Sequence, residues 1–267
     1  MAKLTKAPVF YAVAQVTHSP ILKLESMVPD LQDCLRKDGF PGYRSHKQVA
    51  IEVHANPEKA DETRVEHSEV LTHLFTSRTQ SESIVISAGS IAFQTVEYDT
   101  FDDFLAKFSL GVAAVREILM PDSFTRIGFR FLDAVFPPEA GLLDEYVRPA
   151  FFGLQQVLDE PWLADYTFSE TVATRDGRRT KARVLTRDSP VAFPPDLVAS
   201  APPLPQRFKS LGGVHSLIDT DASVGGDGQF AQEFETTVIM DHVRNLKADL
   251  ESVFRAVVTD KAIKDWA

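Results

Sequence analysis

Arg126 and Arg130 stand on one face of the segment FTRIGFRFLDAV, residues 124–135, if that segment is a strand. The same face then carries Phe124, Gly128 and Leu132, while Ile127, Phe129, Phe131 and Val135 take the other. Guanidinium groups in such a row either grip an anion or pair with carboxylates of neighbouring strands. Four residues of extended chain separate the two by about 13 Å, so a single phosphate cannot engage both. An extended polyanion can, and so can two separate carboxylates. Gly128 between them leaves room for a close approach or marks a bend in the sheet.

The stretch RDGRRTKARVLTR (175–187) holds a denser set of cations: Arg175, Arg178, Arg179, Lys181, Arg183 and Arg187. Asp176-Gly177 is a hairpin turn signal between YTFSETVATR (166–175) and TKARVLTRD (180–188). On the second strand Arg179, Lys181, Arg183 and Arg187 share a face, with Thr180, Ala182, Val184 and Thr186 on the other. Neighbours in that row stand about 7 Å apart, close to the phosphate spacing of a nucleic acid strand. Long basic side chains also guard edge strands against aggregation. The candidate anion-binding residues are therefore Arg126, Arg130, Arg178, Arg179, Lys181, Arg183 and Arg187.

Other candidates are weaker. His54, His67 and His73 fall close to Glu66 and Glu69, which allows an acid–base site in a cleft or a set of solvated histidines on a polar loop. DTDASVGGDGQF contains Asp219, Asp221 and Asp227, but a calcium loop opening at Asp219 would need glycine at Val224 and glutamate at Phe230. It reads instead as a strand end and a glycine-rich turn. His18 and His215 sit on predicted strands as hydrogen-bonded sheet residues, and Cys34 is a small apolar residue beside Leu31 and Leu35. Phosphate-loop, dinucleotide, nucleophile-elbow and zinc-helix motifs do not occur. No cofactor and no metal are expected, and catalytic residues are unknown.

The net charge of -10 works against non-specific binding to nucleic acid or acidic membranes, so any anion site must be a local patch. A lone cysteine excludes an internal disulfide, and the N-terminal apolar run is too interrupted for a signal peptide. No stretch is long and apolar enough for a membrane helix. A cytoplasmic protein is the expectation.

The elements that must position these residues follow from periodicity. Strands are predicted at 9–19, 46–55, 70–80, the two runs flanking SAGS, and 124–135. A helix starts near Pro29 and stops at Gly39; another is capped by Thr100 and Asp103, carries Phe104, Leu105, Phe108, Val112, Val115 and Leu119, and ends at Pro121. In the second half LLDEYVRPAFFGLQQVL is helical but broken at Pro149, and the prolines between 190 and 205 mark an extended connection over the surface. VHSLIDTDA is a strand, a long helix carries Ile239 to Val257 on one face, and Thr259 or Asp260 caps a last short helix. The fold class is α+β: antiparallel sheet with helices on one face, built as a pseudo-duplicated strand–helix–strands–helix unit, with halves 1–122 and 123–267 that either stand apart or fuse into one domain.

The pieces APVFYAVAQV (7–16), RIGFRFLDAV (126–135) and VFRAVVTDKAIKDW (253–266) resemble a family of bacterial proteins of about 250 residues, scattered irregularly among genomes. The resemblance implies a soluble bacterial protein without known catalytic residues, and the irregular spread implies an accessory or defence-linked gene. Three functions follow from the residues. The first is a non-enzymatic binding protein acting on an unknown protein partner or on a second copy of itself. The second is a nucleic-acid or nucleotide binder using the basic hairpin, not favoured by the net charge. The third is a hydrolase using the clustered His and Glu.

Overall fold

A computed structural model of the chain describes residues 4–54, 64–137, 141–159, 161–226 and 228–267; for 48–54 and 64–69 it describes the backbone alone. The first half runs β1 (Val9–His18), α1 (Leu24–Lys37), β2 (Gly42–His54), β3 (Arg64–Thr76), β4 (Glu82–Ser87), β5 (Ser90–Thr95) and α2 (Phe101–Ile118). The second runs β6 (Ser123–Val135), 3-10 turns between Leu143 and Val157, β7 (Tyr166–Arg175), β8 (Arg178–Asp188), α3 (Gln206–Lys209), β9 (Val214–Gly225), β10 (Gln232–Glu233), α4 (Thr236–Val257) and α5 (Asp260–Trp266).

Among the described residues all strands join one ten-stranded antiparallel sheet in the order β2-β3-β4-β5-β1-β6-β9-β8-β7, with β10 extending β6. The first strand of each half lies at the centre, β1 against β6. Outward from it each half places its last long strand first, β5 or β9, and then its earlier ones. The helix that follows, α2 or α4, returns beneath the sheet, and the two helices touch. In the second half 3-10 turns stand where the first has α1 and β2.

Local sequence explains most of these elements. The Thr100 hydroxyl accepts a hydrogen bond from the backbone N–H of Asp103, and the predicted stripe of α2 is buried throughout. Gly39 takes φ +98°, which lets the N–H of Phe40 reach back to the carbonyl of Leu35 and end α1. That helix starts earlier than Pro29 suggests, because Leu24 is buried in line with Val28, Leu31 and Leu35. Burying that extra turn offsets the one hydrogen bond that Pro29 cannot donate. Around Pro149 no α-helix forms at all: the missing N–H and the positive φ of Gly153 (+53°) leave only 3-10 turns. The stretch before the third strand is not wholly loop, since β3 already begins at Arg64.

The helices α1, α2 and α4 cover one face, and the core there holds Phe93, Phe104, Phe108, Phe129, Ile239, Val243 and Leu246. Beside it Val135, Val147, Val184 and Ile218 pack against Val257 and Trp266. On the opposite face the proline-rich connection lies over β1 and β6, with Phe193 5.6 Å from Phe10 and 5.3 Å from Tyr11 between ring centroids. Further along that face the outward side chains of β8 are exposed or half-buried among the described residues.

Phe124 corrects the simple alternation of its strand. Thr17 faces Arg126 but His18 faces Phe124, so Thr125 is an extra residue in the ladder. The bulge turns Phe124 into the helix-side core, 5.9 Å from Phe230 and 6.0 Å from His242. Gly225 stands opposite at φ +78°, and the N–H of Gly226 bonds the Thr125 carbonyl. A Cβ at position 225 would overlap that carbonyl and the ring of Phe230. Gly225→Ala is therefore expected to cost about 2 kcal/mol or more, read as a lowered urea midpoint, whereas Gly177→Ala, which meets nothing, should cost less.

Candidate functional site

Register places two acids between two rows of cations on the open face. Across β9, Asp219 stands opposite Leu132 of β6 and Arg183 of β8, and Asp221 stands opposite Arg130 and Lys181. Arg130 donates from Nε to Oδ1 of Asp219 at 2.7 Å and from Nη2 to Oδ2 at 2.8 Å, a bidentate pair. Its Nη1 donates to Asp196 of the proline-rich connection at 2.5 Å. Arg183 donates to Asp219 at 3.2 Å and to Glu170 of β7 at 2.6 Å. Burial works to lower the Arg130 pKa, but the hydrogen bonds to Asp219 and Asp196 outweigh it and hold the guanidinium firmly charged. Burial likewise works to raise Asp196, and Arg130 more than reverses that.

Arg126 has a different environment. Its side chain lies along the strand over Gly128, where a Cβ would stand 3.0 Å from Nη1 and 3.2 Å from Nη2. The glycine thus makes room for the arginine of its own strand. Arg126 makes no hydrogen bond or ion pair among the described residues and is half-buried. It borders a groove of about 420 Å³ whose walls include Val13, Gln15, Thr72, Ser87 and Ser90. Asp221 lies at the same margin; burial pushes its carboxyl up, and Arg126 and Arg130 pull it back. The far wall is held by Tyr11, whose hydroxyl donates to Gln94 at 2.6 Å, while the Gln94 amide donates to Ser83 at 2.8 Å and to the carbonyl of Ser200 at 2.6 Å.

The basic hairpin forms as the turn chemistry predicts, with Asp176 and Gly177 at φ +49° and +73°. Thr180, Ala182, Val184 and Thr186 are buried, and Arg179, Lys181, Arg183 and Arg187 look outward. Two expectations need correction. The basic strand β8 is paired on both sides, and the edge is β7. Arg178, a candidate anion binder, faces the helices and donates to Asp249 of α4 at 2.6 Å. Of the predicted anion-binding set, Arg130, Arg178 and Arg183 are engaged by carboxylates. Arg126, Arg179, Lys181 and Arg187 have no ion pair among the described residues. Arg179 is opposite Ser223, and Ser223 is opposite Gly128, so the Arg126 and Arg179 side chains flank Ser223.

Of the described histidine side chains, His46 borders the groove of Arg126 and the others lie elsewhere. His73 is buried toward α1, with Nε2 3.0 Å from Glu25 and Nδ1 3.0 Å from the Tyr43 hydroxyl. The side chains of His54, Glu66, His67 and Glu69 lie outside the described residues, as does Asp227. His18 and His215 are buried, and burial pushes both below the usual histidine range. His215 stacks on Phe136 with ring centroids 4.7 Å apart. Cys34 is half-buried against the core, and burial pushes its thiol up, away from reactivity. Among the described residues no three His, Cys, Asp or Glu converge as metal ligands, and no helix is long and apolar enough to cross a membrane.

Two acids escaped sequence reasoning. Asp196 lies in a connection whose path periodicity cannot foresee. Asp133 is different, because it sits at an inward position of β6 between Phe131 and Val135, and an acid in an apolar alternation is a visible signal. It is buried on the helix face without a hydrogen bond or ion pair among the described residues. Burial pushes its carboxyl up to about 7, against the pull of Lys247 and with a small addition from Asp219. No family model matches the chain, and no curated protein is similar to it.

The Asp133 proton gives a test by stability. The folded chain keeps it to about pH 7, while the unfolded chain releases it near the ordinary value of 3.8. Stability contributed by this residue therefore falls as pH rises from about 4 to 7, by about 4 kcal/mol at most. Asp133→Asn, which mimics the protonated acid, should raise the urea midpoint at pH 8 and leave it nearly unchanged at pH 4.

Proposed function

We propose that the chain is a non-enzymatic binding protein that holds an acidic segment of a protein partner on the open face of its sheet. The observation that carries this reading is Arg126: a guanidinium held over Gly128 at the rim of a groove, near Asp221 but with no hydrogen bond or ion pair among the described residues, beside an Arg130 that is saturated. A carboxylate from outside can take the bidentate geometry that Asp219 takes on Arg130. The neutral side chains Gln15, Thr72, Ser87 and Ser90 offer hydrogen bonds to a peptide beside it. The overall charge of -10 does not oppose this strongly, since salt at physiological strength screens beyond about 8 Å and Arg179 stands opposite Ser223 on the neighbouring strand.

A second reading is favoured by Arg179, Lys181 and Arg187, which have no ion pair among the described residues and share one face of β8. That row suits the phosphates of a nucleic acid and predicts binding that weakens steeply with salt.

One set of reagents separates the readings. A random peptide library displayed on phage is selected on the folded chain, and enriched peptides are synthesised and measured. The proposal expects Asp- or Glu-containing peptides, and at least a tenfold loss of affinity in Arg126→Gln with an unchanged melting midpoint. Enrichment without acids, or affinity indifferent to Arg126→Gln, contradicts it. Salt-sensitive binding of short DNA or RNA, lost when Arg179, Lys181 and Arg187 become Ala, would support the second reading instead.

A further inference from the structure

A second cavity, of about 720 Å³, lies on the helix side of the sheet, where the segment before β1, the start of α2 and the last turns of α4 meet over β6. Asp133 borders it at 5% exposure, an acid with no hydrogen bond or ion pair among the described residues. The surrounding walls are aromatic, formed by Tyr98, Phe101, Phe131 and Phe254.

The bases nearby are already engaged. Lys247 bonds Glu251 at 3.3 Å, and its Nζ stands 6.0 Å and 5.9 Å from the ring centres of Phe101 and Phe131. Arg207 donates to the carbonyl of Val9 at 2.8 Å and covers the ring of Phe208. The chain's own ammonium thus shows that these rings accept a cation on their faces. Asp102 and Glu251 add negative charge at the mouth. Among the described residues no cation is hydrogen-bonded to Asp133, which Lys247 attracts without contact.

We infer that this cavity binds a small organic ammonium ion, its charge hydrogen-bonded to Asp133 and its apolar body against Tyr98, Phe131 and Phe254. An ammonium donor in contact with the carboxylate replaces the hydration it lost and favours its ionised form. The titratable and charged groups around Asp133 are Lys247 and Glu251 of α4, Tyr98 and Asp99 before α2, Asp102 in its first turn, Arg207 of α3 and, through the sheet, Asp219. This site is separate from the open face, so it stands or falls independently of the proposed function.

The test uses phenethylammonium, with 2-phenylethanol and phenylacetate as neutral and anionic counterparts, added at pH 7.5 to the whole chain with its Asp carboxyl carbons labelled for NMR. Saturable binding of phenethylammonium is expected, at least tenfold tighter than either counterpart. The Asp133 carboxyl resonance should move and its titration should shift to lower pH. Asp133→Asn should lose the preference for the ammonium, and that variant is expected to fold at least as stably as the parent. No saturable binding, equal binding of all three compounds, or an Asp133 resonance that stays still would overturn the inference.

Discussion

Asp219 accepts hydrogen bonds from Arg130 on one side and Arg183 on the other, and so ties β6, β9 and β8 together across the open face. Arg130 extends the tie to Asp196, which draws the proline-rich connection onto the sheet. Ion pairs this buried gain little net stability over apolar residues, because both partners lose hydration. They are strict about register, however. A slip of one residue in β9 would send Asp219 into the helix-side core and take it from both arginines, leaving Arg130 only Asp196 and Arg183 only Glu170. The charge row therefore fixes the alignment of β8 and β9 against β6.

This constraint divides cations that look equivalent. Arg130, Arg178 and Arg183 are satisfied from within, and each holds a strand to a neighbour, a helix or a loop. Arg126 lies on the same strand as Arg130, but the bulge at Thr125 and the bare backbone of Gly128 let it fold flat toward the groove instead of crossing to β9. In an acidic chain, a cation held this way is where an acidic partner gains most. On its other face the same sheet keeps Asp133, an acid with no hydrogen bond or ion pair among the described residues.

Much of the architecture was legible in local chemistry. The capped stripe of α2, the Asp176-Gly177 turn and the buried alternation of β8 all follow from residue types at fixed spacing. The open-face row was readable as a row, and carboxylates on neighbouring strands were foreseen as one of its two explanations. Which carboxylates they are depends on strand order, and strand order is a non-local property. Arg178 alternates away from the basic row, but its partner Asp249 follows only from α4 packing on β8, and Phe124 sat with the arginines until the extra residue in the ladder turned it inward. Asp196 could not be placed, because an extended connection has no period to read.

The central claim is that Arg130 is structural and Arg126 is available, and urea denaturation of Arg126→Gln beside Arg130→Gln tests it most directly. Replacing Arg130 leaves Asp219 buried with a diminished partner, so a loss of about 3 kcal/mol or more is predicted. Replacing Arg126 removes no hydrogen bond among the described residues, only its pull on the Asp221 carboxyl, and its effect should stay within about 1 kcal/mol. Equal losses, or a larger loss at Arg126, would mean that the fold uses both arginines alike, and the open face would then hold no cation in reserve for a partner.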